Sequence, residues 1–469
     1  MTYLISLLAL AALFALGTAT PVNMGVLAFA AAFTIGPLLS DMPLDDVVGS
    51  FPANIFVVIV GITLLFGIAR TNGTVDLIVT GLLRLVRGRR WAIVWLMFVL
   101  GAVLMALGAV LAVGMLAPIA MPIARKHKID PLLMGMMISH GVLGAAFSPI
   151  NLYGAFINGW LDDAGLHADS LALFLIPLGL NFLIALVLFL LRGRHLLHED
   201  TTEEAEEVGE EVGEDADSGP AAASSGSGPV AGADAAGGVP TGGGAGTGVA
   251  SLVTGAAVPV REAGAAGEKP GLTPIRALTL VGLVGLLLSA AFYDLDVGIS
   301  SMCIAAVLLV VAPRRHKEAI NNITWSAVLL VCGMLTYMNV LEANGTLKYL
   351  GDAAADLGSP YLTAFVLCLA VAAISAIGSS IGTLGIVLPL AAPILAQGDL
   401  GVTALVAALA FCTVVVDVSP FSSNGVMVLV NAQVDDRDAF QRRLLRYCAA
   451  IVGVAPVLAT AFVLVTAVL

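Results

Sequence analysis

Residues 147–154 read Phe-Ser-Pro-Ile-Asn-Leu-Tyr-Gly, and residues 418–425 read Val-Ser-Pro-Phe-Ser-Ser-Asn-Gly. The Ser-Pro pair and the closing glycine thus recur at an offset of 271 residues. At the same offset, Pro-Ile-Ala-Met-Pro at 118–122 returns as Pro-Leu-Ala-Ala-Pro at 389–393. Further upstream, Asn-Gly-Thr at 72–74 returns at 344–346. The chain therefore contains one unit twice, and each copy carries helix-breaking residues inside apolar sequence.

The composition indicates a membrane protein. Hydrophobic residues make up 59% of the chain and charged residues 12%. Apolar runs of about 18 or more residues recur throughout, long enough to cross a roughly 30 Å hydrocarbon core as helices. The runs do not alternate with polar residues, which favours helices over a closed barrel. The net charge of −12 comes mostly from eleven acidic residues within 199–217, so no nucleic-acid partner is expected.

We predict an all-α polytopic membrane protein with two inverted repeats of five transmembrane helices, each with a re-entrant hairpin and a broken helix. The first repeat occupies 1–195 and the second 272–469. Residues 196–271 are acidic and then rich in Gly, Ala and Ser, which predicts a disordered cytoplasmic linker. In the first copy we place spans at 3–20, 23–40 and 52–70, a surface helix at 74–88, a hairpin at 91–124, a broken span at 130–159 and a last span at 170–191. In the second copy the same elements are placed at 273–291, 295–312, 325–341, 346–357, 360–396, 402–432 and 445–468.

Lysine and arginine residues predict the orientation. Threading the spans alternately puts all 21 basic residues except Lys348 on one side, which is then cytoplasmic. The two copies are then inverted relative to each other, and the first hairpin enters from the cytoplasm while the second enters from outside. The opposite loops carry acidic residues, namely Asp41, Asp45, Asp46, Asp162, Asp163, Asp294, Asp296 and Asp399.

The two Ser-Pro pairs fall about midway through the broken spans. Pro149 and Pro420 each remove a backbone hydrogen bond and disfavour helix in the preceding residue. The freed backbone groups cannot face lipid, so they must line a cavity in the protein. Half-helix N-termini suit an anion, whereas half-helix C-termini and unwound carbonyls suit a cation. A plain proline kink is the alternative for one break, but two matched breaks, closed by Gly154 and Gly425, predict a binding site.

Candidate ligand residues cluster at these breaks and at the tip of the second hairpin. That tip reads Gly-Ser-Ser-Ile-Gly-Thr at 378–383, a polar island for which small-residue helix packing is the alternative. The equivalent stretch of the first hairpin, 108–112, has no polar side chain. The predicted substrate-binding residues are Ser148, Asn151, Ser379, Ser380, Thr383, Ser419, Ser422, Ser423, Asn424 and His140.

Two ionisable side chains are placed deep in the membrane. Asp417 directly precedes the second break, and His140 lies eight residues before Ser148. A charge at the bilayer centre costs about 2.5–3.5 kcal/mol on insertion scales, so an intramembrane carboxylate points to function. For Asp417 we predict cation or proton handling, with a neutral, hydrogen-bonded role as the alternative. For His140, substrate contact and a helix-contact role both stay open. Further residues predicted to help in cation coupling are Ser148, Asn151, Ser419 and Thr383.

In these features the chain resembles the ion transporter superfamily, including the divalent-anion/sodium symporters. Its N-terminal half, over 54–70 and 108–158, is similar to the MatC-type dicarboxylate (malonate) carriers. The symporters carry a Ser-Asn-Thr signature at each hairpin tip. Here Ser379-Ser380-Ile381 keeps the serine, Thr383 matches a later threonine, and Gly108-Ala109-Val110 keeps none of the signature. The resemblance implies substrate carboxylates at the tips and breaks with sodium beside them, an elevator-like motion and a homodimer. Asp417 departs from the symporter pattern, and could either replace a sodium site by protonation or hold sodium directly.

We therefore expect a secondary active transporter of small carboxylates in the cytoplasmic membrane, with C3–C4 dicarboxylates such as malonate or succinate as substrates. Its partners are the substrate, the lipid bilayer and a coupling ion, sodium or a proton; no cofactor, enzymatic activity or other metal is expected. A cation/proton antiporter or metalloid efflux permease of the same superfamily is the first alternative. A channel is disfavoured because no ring of charge is visible. A membrane-embedded hydrolase would need Ser139 or Ser148 with His140, and neighbouring residues on a helix do not face each other.

Overall fold

The computed structural model describes residues 2–20, 22–83, 89–197, 272–292, 295–313, 319–347, 349, 359–377, 380–396 and 400–468. These residues are helical or in connecting turns, and no strand occurs among them, as the apolar runs predict. Of the predicted linker, 196–271, all but the first two residues lie outside the described residues.

The first half contains ten α-helices in its described part. They are α1 (Thr2–Ala19), α2 (Met24–Leu39), α3 (Leu44–Gly49), α4 (Ala53–Thr71), α5 (Thr74–Leu83), α6 (Arg90–Ala106), α7 (Ala112–Lys126), α8 (Pro131–Gly144), α9 (Leu152–Asp163) and α10 (Ser170–Arg192). A short 3₁₀ helix, Arg194–Leu197, follows.

The second half repeats most of this order. Its helices are α11 (Pro274–Phe292), α12 (Val297–Val311), α13 (Trp325–Ala343), α14 (Pro360–Ser375), α15 (Ser380–Ala396), α16 (Val402–Val415), α17 (Ser423–Asn431) and α18 (Arg437–Val468). The described boundaries lie within a few residues of the predicted ones, except that α18 begins at Arg437 rather than at 445. Its first turns are rich in arginine. A prediction from apolar runs leaves such turns out, although arginine favours helix. The surface helix predicted at 346–357 lies mostly outside the described residues.

Four helical stretches in the described part of the chain are long and apolar enough to cross a membrane: Leu44–Thr71, Ser170–Arg192, Trp325–Ala343 and Arg437–Thr466. The other apolar helices are 10–17 residues long. A helix rises about 1.5 Å per residue, so a helix of 14 residues covers only about 21 Å. The first arm of each predicted hairpin (α6 and α14), the arm α15 and the first half of each broken span (α8 and α16) are among these shorter helices.

Helices of the two copies pack on each other reciprocally. Helix α2 lies along α13, and α12 lies along α4, with a glycine at each crossing. A Cβ atom on Gly25 would lie 2.0 Å from the carbonyl oxygen of Leu329, and one on Gly298 would lie 2.7 Å from Val58 Cα. Glycine therefore lets these backbones approach closely. We call the helices that share these contacts, α1, α2, α4, α11, α12 and α13, the scaffold.

The repeated Asn-Gly-Thr motif ties each copy to the first helix of the other. Asn72 Nδ2 donates to Thr279 Oγ1 in α11 at 2.8 Å. In the same way, Asn344 Nδ2 donates to Ser6 Oγ in α1 at 3.0 Å. The following glycines have φ of +75° and +77°, in the left-handed region that favours glycine. The motif thus has a structural role at the ends of α4 and α13.

Helices α6–α10 and α14–α18 form a second group that we call the core bundle; the short helices α3 and α5 belong to neither group. Helix α8 packs against α6, α7 and α10, and α16 packs against α14, α15 and α18. Asp130, which caps α8, pairs with Arg192 of α10 at 2.9 Å and with Arg443 of α18 at 2.8 Å. Contacts of the core bundle with the scaffold run mainly through α9 on α4 and α15 on α13.

Candidate functional site: two helix breaks around a buried carboxylate

Both Ser-Pro pairs lie in turns that interrupt a helix. Helix α8 ends at Gly144 and α9 begins at Leu152; α16 ends at Val415 and α17 begins at Ser423. The first turn of each second half is capped by a side chain from the break. Asn151 Oδ1 accepts from the N–H of Tyr153 at 3.1 Å, and Ser422 Oγ accepts from the N–H of Gly425 at 3.3 Å. The first N–H groups of a helix have no partner within the helix, so an N-terminus of this kind suits an anion.

The glycine that closes each motif allows the half-helix to fold back onto its own break. A Cβ atom on Gly154 would lie 2.1 Å from the carbonyl oxygen of Ser148, and one on Gly425 would lie 1.9 Å from that of Ser419. Both distances are far below van der Waals contact, and the obstructing atoms belong to the backbone. The two breaks therefore share one geometry that only glycine fits.

Asp417 is the carboxylate of the second break, and it is 8% exposed. Asn424 Nδ2 donates to Asp417 Oδ2 at 3.0 Å. The hydroxyl of Ser380, at the start of the second hairpin's outgoing arm, also hydrogen-bonds the carboxylate. Ser422 Oγ lies 2.8 Å from the Asp417 carbonyl oxygen and 2.7 Å from that of Ser419. Neutral donors from the hairpin and from α17 thus converge on one buried carboxylate.

The second hairpin is attached to the broken helix beside it. Ser375 Oγ donates to the carbonyl of Thr413 at 2.7 Å and lies 3.3 Å from Ser380 Oγ. Thr383 is buried, one turn beyond Ser380 on the same face of α15. Gly378 and Ser379, also part of the predicted tip, lie outside the described residues. Among the described residues of the predicted tip, Ser380 hydrogen-bonds the Asp417 carboxylate. Thr383 follows one turn later on the same face of α15.

Asn151 in the first break uses both ends of its amide within the protein. Its Nδ2 donates to the carbonyl of Met105, at the end of the first arm of the first hairpin, while its Oδ1 caps α9. Asn151 is fully buried and Ser148 is nearly so. The amide of Asn151 thus holds the first break against the first hairpin. The side chain of Ser148 makes no comparable hydrogen bond within the described residues.

His140 is fully buried between three helices. Its Nδ1–H donates to Asn181 Oδ1 of α10 at 2.9 Å, and the hydroxyl of Tyr447 in α18 reaches its Nε2. Both ring nitrogens therefore have protein partners, which is the arrangement of a helix-contact residue. Ser139 Oγ donates to the carbonyl of Gly135 instead of to the histidine. The Ser-His pairing that a hydrolase would need is not formed by these residues.

Elements of the two copies meet around this region. Helix α8 packs against α16, and α7 packs against α17, where a Cβ atom on Gly114 would lie 3.4 Å from Met427 Sδ. Tyr153, the second residue of α9, interacts electrostatically with Asp417 across the two breaks. Tyr153 is not among the sequence candidates. The signal that could have found it is the repeat itself, because at the offset of 271 Tyr153 corresponds to Asn424.

A cavity of about 780 Å³ lies elsewhere. It opens between the scaffold and the core bundle, on the side that the charge distribution predicts to face outside. Among the described residues, its lining includes none of the predicted site residues. Two acidic side chains, Asp163 and Glu342, line it together with Asn54, Asn339 and Trp160. We call this cavity the vestibule.

Interrupted helices, paired hairpins and a buried carboxylate among neutral donors define a multi-pass membrane transport protein. Comparison with known families agrees with this class. Residues 1–146 match the model of the dicarboxylate carrier protein MatC N-terminus, and residues 275–461 match that of the Na⁺/H⁺ antiporter family. No curated protein matches the chain. The resemblance seen in the sequence is confirmed: the chain is similar to MatC-type carriers in its first half and to ion-transporting antiporters in its second.

Proposed function

We propose that the protein is a cation-coupled secondary active transporter of small dicarboxylates in the cytoplasmic membrane, with C3–C4 acids such as malonate and succinate as substrates. The observation that carries this proposal is the convergence of two helix breaks and a hairpin on Asp417. The match of the first half to a dicarboxylate carrier supports the substrate class.

The chemistry of the site suits an anion together with a cation. Substrate carboxylates would accept hydrogen bonds from the free N–H groups that begin α9 and α17 and from the hydroxyls of Ser148 and Ser419. Ser423, the first residue of α17, adds a hydroxyl at that N-terminus. Asp417 would hold sodium or a proton, which removes the repulsion between its charge and the substrate. Coupling follows because the anion binds well only when the cation is present.

Alternating access would come from motion of the core bundle against the scaffold, with the two copies inverted in the membrane. The contacts of α9 with α4 and of α15 with α13 are those that such a motion has to break and remake. Substrate and cation shift this equilibrium only as far as they bind its two states differently. The hydrogen bonds of Asn151 and Ser375 keep each hairpin with its broken helix, so the site would move as one body.

The test is uptake into proteoliposomes that contain the purified protein. Labelled malonate and succinate are offered under an inward sodium gradient, under a proton gradient and under neither. Accumulation above equilibrium under one gradient, competed by other C3–C4 dicarboxylates, is the expected result. Protein-free liposomes give the background. Absence of uptake under every gradient would contradict the proposal.

A second candidate is cation/proton exchange without an organic substrate, which the match of residues 275–461 favours. The same vesicles can test it with an internal pH-sensitive dye. A sodium pulse in carboxylate-free buffer moves protons only if the protein exchanges the two cations directly. We expect no proton movement until a dicarboxylate is added. Sodium-driven proton flux in the absence of any carboxylate would favour the antiporter instead.

A further inference from the structure

The side chain of Tyr153 is oriented by the first break itself. Its N–H donates to Asn151 Oδ1, and its ring meets the fully buried Phe147 edge to face, with centroids 6.0 Å apart. Both contacts come from the break, seven residues long, that separates α8 from α9 (145–151). The position of the phenol is therefore fixed by the same geometry that forms the candidate site.

The hydroxyl of Tyr153 is left without a partner in the described part of the chain. The residue keeps partial exposure although Asn151 and Leu152 before it and Gly154 after it are all buried or nearly so. Its phenol interacts electrostatically with the Asp417 carboxylate but does not hydrogen-bond to it. Tyrosine hydroxyls in protein interiors usually find a partner. No group in the described part of the chain thus uses this hydroxyl as a donor.

The repeat gives an independent reason to place Tyr153 at the site. Its counterpart at the offset of 271 is Asn424, which donates to Asp417 Oδ2 at 3.0 Å. The counterpart of Asp417 itself is Ala146, so the first copy has no carboxylate of its own. Equivalent positions of the two half-helices therefore both interact with one carboxylate: Asn424 is hydrogen-bonded to it, and Tyr153 interacts with it electrostatically.

We propose that Tyr153 is a substrate-binding residue whose hydroxyl donates a hydrogen bond to a carboxylate of the bound dicarboxylate. This inference rests on the proposed function and deepens it. The first hairpin tip offers no polar side chain and the amide of Asn151 is already used, so Ser148 and Tyr153 supply the side-chain donors that the first copy can offer an anion at its break. A neutral phenol donates without the charge of a lysine or arginine, and hydrogen bonds to charged acceptors are the stronger kind.

The proposal predicts a selective effect of Tyr153→Phe, which removes only the hydroxyl. We expect the Kd for malonate or succinate, and the KM for uptake, to rise about tenfold or more, while Vmax changes little. The sodium or proton concentration for half-maximal uptake should stay within about twofold, because the hydrogen bonds of Asn424 and Ser380 to Asp417 are untouched. Tyr361→Phe is the matched control, since Tyr361 is also the second residue of its helix, α14, and lies at the end of the hairpin remote from the tip.

A second measurement uses the wild-type protein and does not depend on how the variant folds. Tetranitromethane nitrates accessible tyrosines, and mass spectrometry reports the extent at each position. Saturating malonate or succinate with the coupling cation should slow nitration of Tyr153 and leave Tyr361 unchanged. Equal nitration with and without substrate, or an unchanged Kd in Tyr153→Phe, would overturn the inference while wild-type uptake still supports the proposed function. Wild-type protein that neither binds nor transports a dicarboxylate would overturn both.

Discussion

At the scale of single residues, the most informative position is Asp417. Its carboxylate is buried and surrounded by neutral donors, with Asn424 at 3.0 Å and the hydroxyl of Ser380 bonded to it. An uncompensated charge in such surroundings is costly, so the group needs a cation or a proton whenever the pocket closes. In the proposed function, this requirement is the physical basis for coupling the transport of an anion to that of a cation.

We predict that Asp417→Asn abolishes gradient-driven uptake or leaves slow uptake that no longer responds to the gradient. Hydrogen bonds and contacts to a charged group are worth about 1.5–3 kcal/mol, so a fall of about tenfold or more is expected. The asparagine is nearly isosteric, and the variant should insert and remain monodisperse. Asp163→Asn, at the vestibule, is the control that keeps coupling. Wild-type uptake and coupling by Asp417→Asn would show that the carboxylate has no cation role.

The glycines that close the breaks lead to a second prediction. Gly425→Ala and Gly154→Ala should each destabilise the protein strongly, because the new Cβ meets a backbone oxygen at about 2 Å. Overpacking of this kind costs about 1–3 kcal/mol or more. Gly453→Ala in α18 has nothing within 4 Å and should be neutral or slightly stabilising. Thermal unfolding in detergent measures all three, and equal melting temperatures would contradict the described packing.

At the scale of helices, the reciprocal Asn-Gly-Thr motifs hold α4 and α13 to the first helix of the opposite copy. Asn344 donates to both Ser6 Oγ and Ser40 Oγ, at 3.0 and 3.1 Å, whereas Asn72 donates to Thr279 Oγ1. Losing a partly buried hydrogen-bonding group costs about 1–3 kcal/mol. We predict that Asn344→Ala and Asn72→Ala lower the melting temperature by similar amounts while KM stays unchanged. Asn431→Ala, whose amide only bonds back to Met427 in its own helix, should have a smaller effect.

The helices also show how far sequence could predict this molecule. Hydropathy, proline and glycine are local properties, so the spans and both breaks were predicted close to where they occur. The predicted start of α18 was wrong because the prediction followed hydropathy, and the arginines of its first turns are polar. Tyr153 was missed for a different reason. The sequence around a tyrosine does not indicate which residue of the other copy it will interact with, and only the packing of the helices brings Tyr153 near the carboxylate of Asp417.

At the scale of the whole molecule, the division into scaffold and core bundle predicts which contacts move. Gly159 of α9 lies against Ile55 of α4, across that division, whereas Gly114 of α7 and Met427 of α17 lie together within the core bundle. A disulfide between Ile55→Cys and Gly159→Cys should arrest transport, and reductant should restore it. A disulfide between Gly114→Cys and Met427→Cys should leave most of the transport rate.

Uptake before and after oxidation measures both pairs, with cross-linking checked by mass spectrometry. Transport that continues with α9 cross-linked to α4 would exclude motion between the two groups of helices. Arrest by both pairs would mean that helices within the core bundle also have to move relative to each other.

The sequence by itself determined that the protein is a duplicated, helical membrane protein with two broken spans and a deep carboxylate. These features follow from hydropathy, from proline and glycine chemistry and from a repeat, all of which can be read along the chain. Only the tertiary structure decided which groups meet: Asn151 with Met105, His140 with Tyr447, and Asn344 with Ser6. Such pairs join residues far apart in the chain, and they depend on how helix faces pack, which no local pattern encodes.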